Sequence, residues 1–225
     1  MKGPTQIIIT GKNRLIAKAM ALYINNMKCN TVATYDRNAS LLNIGHAPVD
    51  LILIAILAAD LTEKITVVQI QQAFPGVPVA IIAMEDTFDE ILAGIKMGIC
   101  GWIRFTIEPN ELQTAINAMV HEKAYYFDLD GERLLYSHKK DIEDPVRLLA
   151  AHHLPAPQKK ILSLLCSSLS YEEMAVSLHV SGKQLSSFRA AISKALRFKS
   201  RVGLALFAIK NNLCEQADIP AATNN

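Results

Sequence analysis

The stretch Val49–Asp60, VDLILIAILAAD, decides the fold of this 225-residue chain. Nine consecutive apolar residues, Leu51 to Ala59, stand between two aspartates. A membrane-spanning helix needs roughly 18 or more apolar residues in a row, so this run is too short to cross a bilayer. It is apolar at every position, which is typical of a central strand in a parallel sheet covered on both faces. We therefore predict a buried strand here.

Four other short apolar runs lie before and after this strand, and stretches with helical periodicity separate them. The runs are TQIIIT (5–10), NTVATYD (30–36), VPVAIIAM (77–84) and GWIRF (101–105). Strands that alternate with helices imply a parallel sheet with right-handed crossovers. The predicted fold class is α/β, a five-stranded doubly wound parallel sheet over residues 1–123. In such sheets ligands and chemistry gather at the carboxyl ends of the strands.

Composition narrows the class of protein. Hydrophobic residues make up 51% of the chain, enough for a packed core. We find no signal peptide and no transmembrane run, and the four cysteines form no CxxC pair, so we expect a cytoplasmic protein with reduced thiols. The histidines show no ligand spacing and there is no Gly-rich phosphate loop, so we predict no metal, no cofactor and no enzymatic activity.

Charge is unevenly distributed along the chain. Residues 1–150 hold 14 Lys+Arg and 17 Asp+Glu, whereas residues 151–213 hold 9 Lys+Arg and only 2 Asp+Glu, a net charge of +7. Four short helices are predicted in this basic segment, with a tight joint at the sequence HVSG, as in a helix-turn-helix unit. We predict a linker over 124–150, partly helical around Glu132–Ser137, an all-α helix-turn-helix domain over 151–213, and a flexible tail over 214–225.

The sequence LSYEEMAVSLHVSGKQLSSFRAAISKAL (169–196) carries a family resemblance. Glu173, Ala175, Leu178, Val180 and Ser181 stand where the family keeps Glu, Ala, Leu, an aliphatic residue and Ser. From residue 5 to about 213 the chain resembles response regulators of the NarL/LuxR type, in which a CheY-like receiver precedes a LuxR-type helix-turn-helix. The resemblance implies a DNA-binding transcriptional regulator of a two-component system, with double-stranded DNA and a second copy of the chain as partners.

The resemblance also places the DNA contacts. Ser181 and Gln184 fit a capping box that opens the recognition helix, and Leu185, Ile192 and Leu196 form its core-facing stripe. The implied contact residues are Lys183, Gln184, Ser186, Ser187 and Arg189, with Lys194 near the DNA backbone. Gln can pair with adenine, and Arg or Lys with guanine. Ser181 and the segment 199–201 are candidates for phosphate contacts, and Lys159 and Lys160 are weaker candidates.

Two positions of this domain depart from the family pattern. Phe188 stands where a polar His is common, and Lys160 stands where Glu is usual. A solvated basic face without DNA binding is the alternative interpretation of the same charges.

The receiver half keeps the strand pattern but lacks the catalytic residues of the family. Gly11 and Lys12 stand where the resemblance implies an acidic pair that binds Mg²⁺. Ala55 replaces the phosphoacceptor aspartate, Ala83 the Thr or Ser of the fourth strand, and Phe105 the lysine of the fifth. Ala55 offers no oxygen for phosphoryl attack, and Gly11 and Lys12 supply no carboxylate for Mg²⁺. We predict a pseudo-receiver that signals without aspartyl phosphate.

Other acids cannot easily replace the missing one. Asp50 precedes the third strand, at the wrong end of the sheet, whereas Asp60, Asp86 and Asp89 follow strands and remain possible displaced phosphoacceptors. The Lys12 ammonium is a candidate to stand in for the metal, and solvent exposure is the alternative.

The receiver-like domain has two possible uses. It is either a dimerisation platform, with Met97, Trp102 and Phe105 as candidate contacts, or a sensor that binds a small ligand or a partner in the vacated pocket. Packing in the core is the alternative role of Met97 and Trp102. An alternative function for the whole chain is a partner that does not bind DNA and modulates another response regulator.

Overall fold

The computed structural model describes residues 4–27, 30–35, 48–57, 61–84, 87–129 and 132–214. The chain divides into two compact units, Met1–His138 and Lys139–Asn225. The strands of the first unit are β1 (Thr5–Thr10), β2 (Asn30–Tyr35), β3 (Leu51–Ile56), β4 (Val79–Ala83), β5 (Gly101–Arg104), β6 (Ala124–Leu129) and β7 (Glu132–His138). Its helices are α1 (Arg14–Asn25), α2 (Leu61–Ala73), α3 (Phe88–Lys96) and α4 (Pro109–His121).

The five predicted strands form a parallel sheet in the order β2-β1-β3-β4-β5, which confirms the predicted fold class. This order is the doubly wound arrangement of flavodoxin and CheY. All six residues of β3 are buried, as the apolar run Leu51–Ala59 predicted. Strands covered on both faces exclude water from their side chains and contribute most of the hydrophobic stabilisation of such a domain.

The two faces of the sheet are covered by different helices. Ala17, Ala21 and Ile24 of α1 and Leu112 and Ile116 of α4 share one core cluster with the sheet. Successive strand residues point to opposite faces, so the other buried positions face α2 and α3. The sheet side chains on that second face include Ile8, Ile52, Ile54 and Ile81.

A β-hairpin extends the sheet beyond β5, and the predicted helical character around Glu132–Ser137 is wrong. β6 pairs in parallel with β5, and β7 pairs antiparallel with β6, so the sheet has seven strands among the described residues. Tyr126 and Phe127 in β6 are 0% and 1% exposed, so the aromatic pair is part of the core. Burial of two large aromatic side chains on a pleated surface favours strand over helix here.

The second unit is entirely helical in its described part, which ends at residue 214. Its helices are α5 (Lys139–Ile142), α6 (Pro145–His152), α7 (Ala156–Leu164), α8 (Tyr171–Ser177), α9 (Gly182–Leu196) and α10 (Arg201–Lys210). α5 and α6 lie in the predicted linker, and Asp144 caps α6 by accepting a hydrogen bond from the Val146 N–H. The last four helices lie where the sequence predicted them. Residues 215–225 of the predicted tail fall outside the described residues.

None of the described helices is long and apolar enough to span a bilayer.

Candidate functional site

The carboxyl end of β3, where a receiver holds its phosphoacceptor, is closed by backbone packing. Ala55 is 2% exposed and Ala83 is 0% exposed. Gly11 follows β1, and a Cβ atom placed on it would lie 2.4 Å from the Ala55 carbonyl oxygen. Real Cβ atoms do not approach so closely, so any larger residue at position 11 forces the backbone to move. Position 11 therefore has no room for a carboxylate side chain without a shift of the backbone.

An apolar row of side chains lies along this edge of the sheet. The Met84 N–H donates to the Ile56 carbonyl at 3.3 Å, and the Phe105 N–H donates to the Ala83 carbonyl at 2.9 Å. These bonds place Leu57, Met84 and Phe105 side by side after three adjacent strands. Leu57 is 38% and Met84 56% exposed, and Phe105 is partly buried against the core. Such a row has no oxygen ligand for Mg²⁺ and no cation for phosphoryl charge.

The acidic residues near the sheet have other positions or other roles. The Asp50 carboxylate accepts a hydrogen bond from the Gln6 N–H at 2.8 Å. Gln6 is at the amino end of β1, so Asp50 lies at the end of the sheet opposite to Ala55, as predicted. Asp89 is exposed in the first turn of α3, where an acid is favourable beside the helix dipole. Asp60 and Asp86 lie outside the described residues. Lys12 is exposed.

The predicted dimerisation contacts are only partly at the surface. Trp102 is 2% exposed and packs beside Gly94, so its assignment as a surface contact is wrong. The side chain lies on an inner strand of the sheet, since β6 covers the edge of β5. Met97 and Phe105 are half-buried and retain some accessible surface.

The predicted recognition helix α9 begins with the capping box expected from the sequence. The Ser181 hydroxyl oxygen accepts from the Gln184 N–H at 3.2 Å, and the Ser181 N–H donates to the Gln184 side-chain oxygen at 2.8 Å. The preceding helix α8 ends at Leu178, and His179 turns the chain with a φ of 54°. This left-handed residue ends one helix so that the next can begin after a short turn.

The predicted contact residues divide between the faces of α9. Leu185, Ile192 and Leu196 are buried, as expected. At 3.6 residues per turn the opposite side of the helix carries Lys183, Ser187 and Lys194. These three exposed residues form the outer stripe. Ser186 and Gln184 are exposed on either flank of this stripe. The arrangement presents two ammonium groups and a hydroxyl along one line, which suits phosphate oxygens and base edges.

Gln184 is already partly engaged by the cap. Its side-chain oxygen accepts from both the N–H and the hydroxyl of Ser181, the latter at 3.0 Å. Bidentate pairing with adenine needs the oxygen as acceptor and the amide nitrogen as donor together. With its oxygen engaged in the cap, Gln184 offers only donors to DNA, and these suit phosphate oxygens or base acceptors. The predicted adenine pairing therefore requires the cap to open.

The two capping boxes of this domain differ in charge. In α8 the Ser170 N–H donates to the Glu173 carboxylate at 2.7 Å, and this hydrogen bond lowers the Glu173 pKa from its ordinary value. In α9 the corresponding residue is the neutral Gln184, and the first turn of the helix has no acid. The positive end of the α9 dipole is thus left unneutralised at the outer stripe, where it favours an anion.

Arg189 lies apart from the other candidate contacts. It follows Leu185 by four residues and precedes Ile192 by three, so its backbone is on the buried side of α9. Its guanidinium carbon lies 3.7 Å from the ring centroid of Tyr171 on α8, a stacking contact that the sequence did not predict. Phe188 is half-buried on the other flank of the core stripe, and Lys160 is exposed.

Arg201 makes structural hydrogen bonds that the sequence did not predict. Its guanidinium donates to the carbonyls of Leu165, Ser167 and Leu169 at 3.3, 2.7 and 2.9 Å. These bonds fix the loop between α7 and α8 and use Nε and one of the two terminal nitrogens of the group. Lys199 is exposed, and Ser200 caps α10 by accepting from the Gly203 N–H at 3.0 Å.

The chain has recognisable similarity to known proteins. Among solved structures the chain is similar to response regulators, and among curated proteins to a probable transcriptional regulator. The latter is ycf29 of Porphyra purpurea, with 24% identity over 164 residues, 73% of each chain. No protein-family model matches the chain.

Several of the similar structures contain RcsB. The RcsB response regulator of Salmonella typhimurium has 15% identity and a TM-score of 0.48, with 91% of this chain and 97% of that one covered. An RcsB–DNA complex has 16% identity and a TM-score of 0.45, with 91% and 98% covered.

Proposed function

We propose that this chain is a DNA-binding transcriptional regulator, an atypical response regulator whose receiver-like domain works without aspartyl phosphate. The observation that carries the proposal is the outer stripe of α9, a capped helix with exposed Lys183, Ser187 and Lys194 opposite a fully buried stripe. A helix of this kind presents its first turns to base edges in the major groove. The similarity to a probable transcriptional regulator supports the same function.

Independence from phosphate rests on the closed carboxyl edge of the sheet. The close approach of the Ala55 carbonyl disfavours an acidic side chain at position 11, and the side chains of the apolar row supply neither metal ligands nor a cation. Activation by phosphoryl transfer therefore has no chemical basis at this position. The domain acts instead as a dimerisation platform or as a receptor for a partner or ligand that binds outside the Gly11–Ala55 contact.

DNA binding is tested by selecting bound duplexes from a random pool and measuring affinity at several salt concentrations. We expect enrichment of an inverted repeat with half-sites roughly 34 Å apart, as a two-fold symmetric dimer requires. Affinity should fall linearly with the logarithm of salt concentration, because each phosphate contact releases counterions. Absence of any salt-sensitive binding would contradict the proposal. Co-purification of the chain with a second response regulator, without DNA, would then favour a non-DNA-binding partner.

Phosphorylation is tested separately by incubating the protein with acetyl phosphate and Mg²⁺ and measuring its intact mass. We expect no gain of a phosphoryl group. A gain that maps to Asp60, Asp86 or Asp89 would show that a displaced acid serves as phosphoacceptor and would overturn the phosphate-independent part of the proposal alone.

A further inference from the structure

We infer that Tyr171 is a positioning residue which holds Arg189 for a phosphate of the DNA backbone, so that Arg189 reads no base. This inference rests on the proposed DNA-binding function. It changes the role of one predicted contact and adds a residue on α8 to the interface.

The Arg189 side chain extends towards α8 and not along the outer stripe. Its backbone lies on the same side of α9 as Leu185 and Ile192, which are 2% and 0% exposed. The outer stripe lies on the opposite side of the helix. Arg189 is half-buried, and its side chain extends over the neighbouring helix α8 instead of away from the domain. When the outer stripe enters the major groove, Arg189 is beside the groove. In helix-turn-helix proteins this is the side on which the first helix crosses the DNA backbone.

The Arg189 guanidinium stacks on the ring of Tyr171. At 3.7 Å from the ring centroid, the guanidinium carbon is in van der Waals contact with the face of Tyr171. Stacking by its face leaves the N–H groups at the rim of the guanidinium, and these can donate in pairs to a phosphate. Stacking also restricts a long side chain before binding, which reduces the entropy lost when the complex forms.

The Tyr171 ring is itself held in a fixed position. Arg201 lies 5.3 Å from the same centroid, and its guanidinium is held by three backbone carbonyls. Tyr171 is the first residue of α8, directly after the capping residue Ser170. The ring is therefore fixed by a capped helix end and flanked by an anchored cation, and it forms a stable surface on which Arg189 can lie.

The experiment uses the full chain and measures affinity for a selected DNA site, and for duplexes with single base-pair changes, at several salt concentrations. For Arg189→Ala we expect about tenfold weaker binding to all these duplexes and a salt slope smaller by about 0.9, the value of one phosphate contact. Arg189→Lys keeps the charge but loses the planar stack, so the slope should remain and affinity should fall about threefold.

The role of Tyr171 is tested by a matched pair and a double variant. Tyr171→Phe keeps the aromatic face and should bind like the wild type, whereas Tyr171→Leu should bind about threefold to tenfold more weakly with unchanged base preference. In the Arg189→Ala background Tyr171→Leu should have no further effect, because the two residues act through one contact. Thermal unfolding of each variant confirms that the domain is folded.

Three outcomes would overturn the inference. The first is an Arg189→Ala variant that loses preference at one base pair, which would identify a base contact. The second is an unchanged salt slope in that variant. The third is an equal effect of Tyr171→Leu with and without Arg189, which would indicate a purely structural role. If the wild-type chain binds no DNA, the proposed function fails with the inference; if it binds and only the variants disagree, the inference alone fails.

Discussion

The carboxyl edge of the sheet and the outer stripe of α9 are the two places where a protein of this arrangement would meet phosphate, and they have opposite chemistry. At the sheet edge Ala55 and Ala83 are buried and Leu57 and Met84 form an apolar surface. The outer stripe instead combines exposed lysines with a helix N-terminus free of acids in its first turn. The described side chains at the sheet edge therefore offer no carboxylate or cation, whereas the outer stripe presents ammonium groups that suit phosphate oxygens.

The largest effect is expected from restoring an acid at the sheet edge. Gly11→Asp should destabilise the sheet domain by about 3 kcal/mol, because its Cβ would overlap the Ala55 carbonyl. Urea unfolding followed by Trp102 fluorescence measures this domain selectively, since Trp102 is the single tryptophan and is buried in β5. Lys12→Asp, at an exposed neighbouring position, is the control and should change stability by less than about 0.5 kcal/mol. A Gly11→Asp protein as stable as the wild type would show that this edge accommodates an acid and would break the comparison.

The next largest effect is expected from a change to Arg201, which fixes the loop between α7 and α8. Arg201→Met should destabilise the helical domain by about 2 kcal/mol, because three carbonyls lose a charged donor. Circular dichroism during urea unfolding detects the loss of helix, while Trp102 fluorescence should report an unchanged sheet domain. Lys199→Met removes a nearby exposed charge and serves as the control. If Arg201 were a phosphate contact instead, DNA affinity would fall with no loss of stability.

A smaller effect separates binding from stability at the start of α9. Gln184→Glu preserves the capping box, and its negative charge near the helix N-terminus should keep stability equal or slightly raised. The same charge should repel DNA phosphates and weaken binding by about 1 kcal/mol, roughly fivefold. Affinity measurements and thermal unfolding of the same preparation test both statements. Equal DNA affinity of the two proteins would show that this end of the helix does not face DNA.

The smallest effect is a difference in pH dependence between the two capping boxes. The Glu173 pKa is lowered in the folded state, so its contribution to stability is present above the pKa of the unfolded chain and is lost as pH falls through the folded value. Glu173→Gln should remove this acid sensitivity, whereas the box of α9 already has Gln184 and contributes none. Unfolding curves of wild type and Glu173→Gln between neutral and acidic pH test the expectation. Parallel curves would contradict it.

Much of the fold follows from local sequence. The run Leu51–Ala59 predicted the central strand because only a strand covered on both faces is apolar at each position. The β6–β7 hairpin was missed although its signal is present in the sequence, where Asp130-Gly131 separates the two strands as in two-residue hairpin turns. The charge cluster that follows the hairpin favoured a connector.

The site was less predictable than the fold. Burial of Leu185 and Ile192 follows from helical periodicity, and so does exposure of Lys183. Periodicity does not show that a cap and an adenine contact compete for the side-chain oxygen of Gln184. Both roles fit the sequence, and only the geometry shows this oxygen engaged with Ser181. The contact between Arg189 and Tyr171 joins two helices, and no spacing along the chain encodes it.

The hairpin has a consequence for assembly. β5 is hydrogen-bonded on both sides, to β4 and to β6, so no strand from a neighbouring molecule can add beside it. Among the described strands β7 and β2 are the ends of the ladder, and unpaired backbone groups at such ends are where further strands attach. Oligomers built by strand addition beyond the hairpin would thus depend on β7. This strand lies outside the five-strand core, so it can change in evolution while the core stays intact.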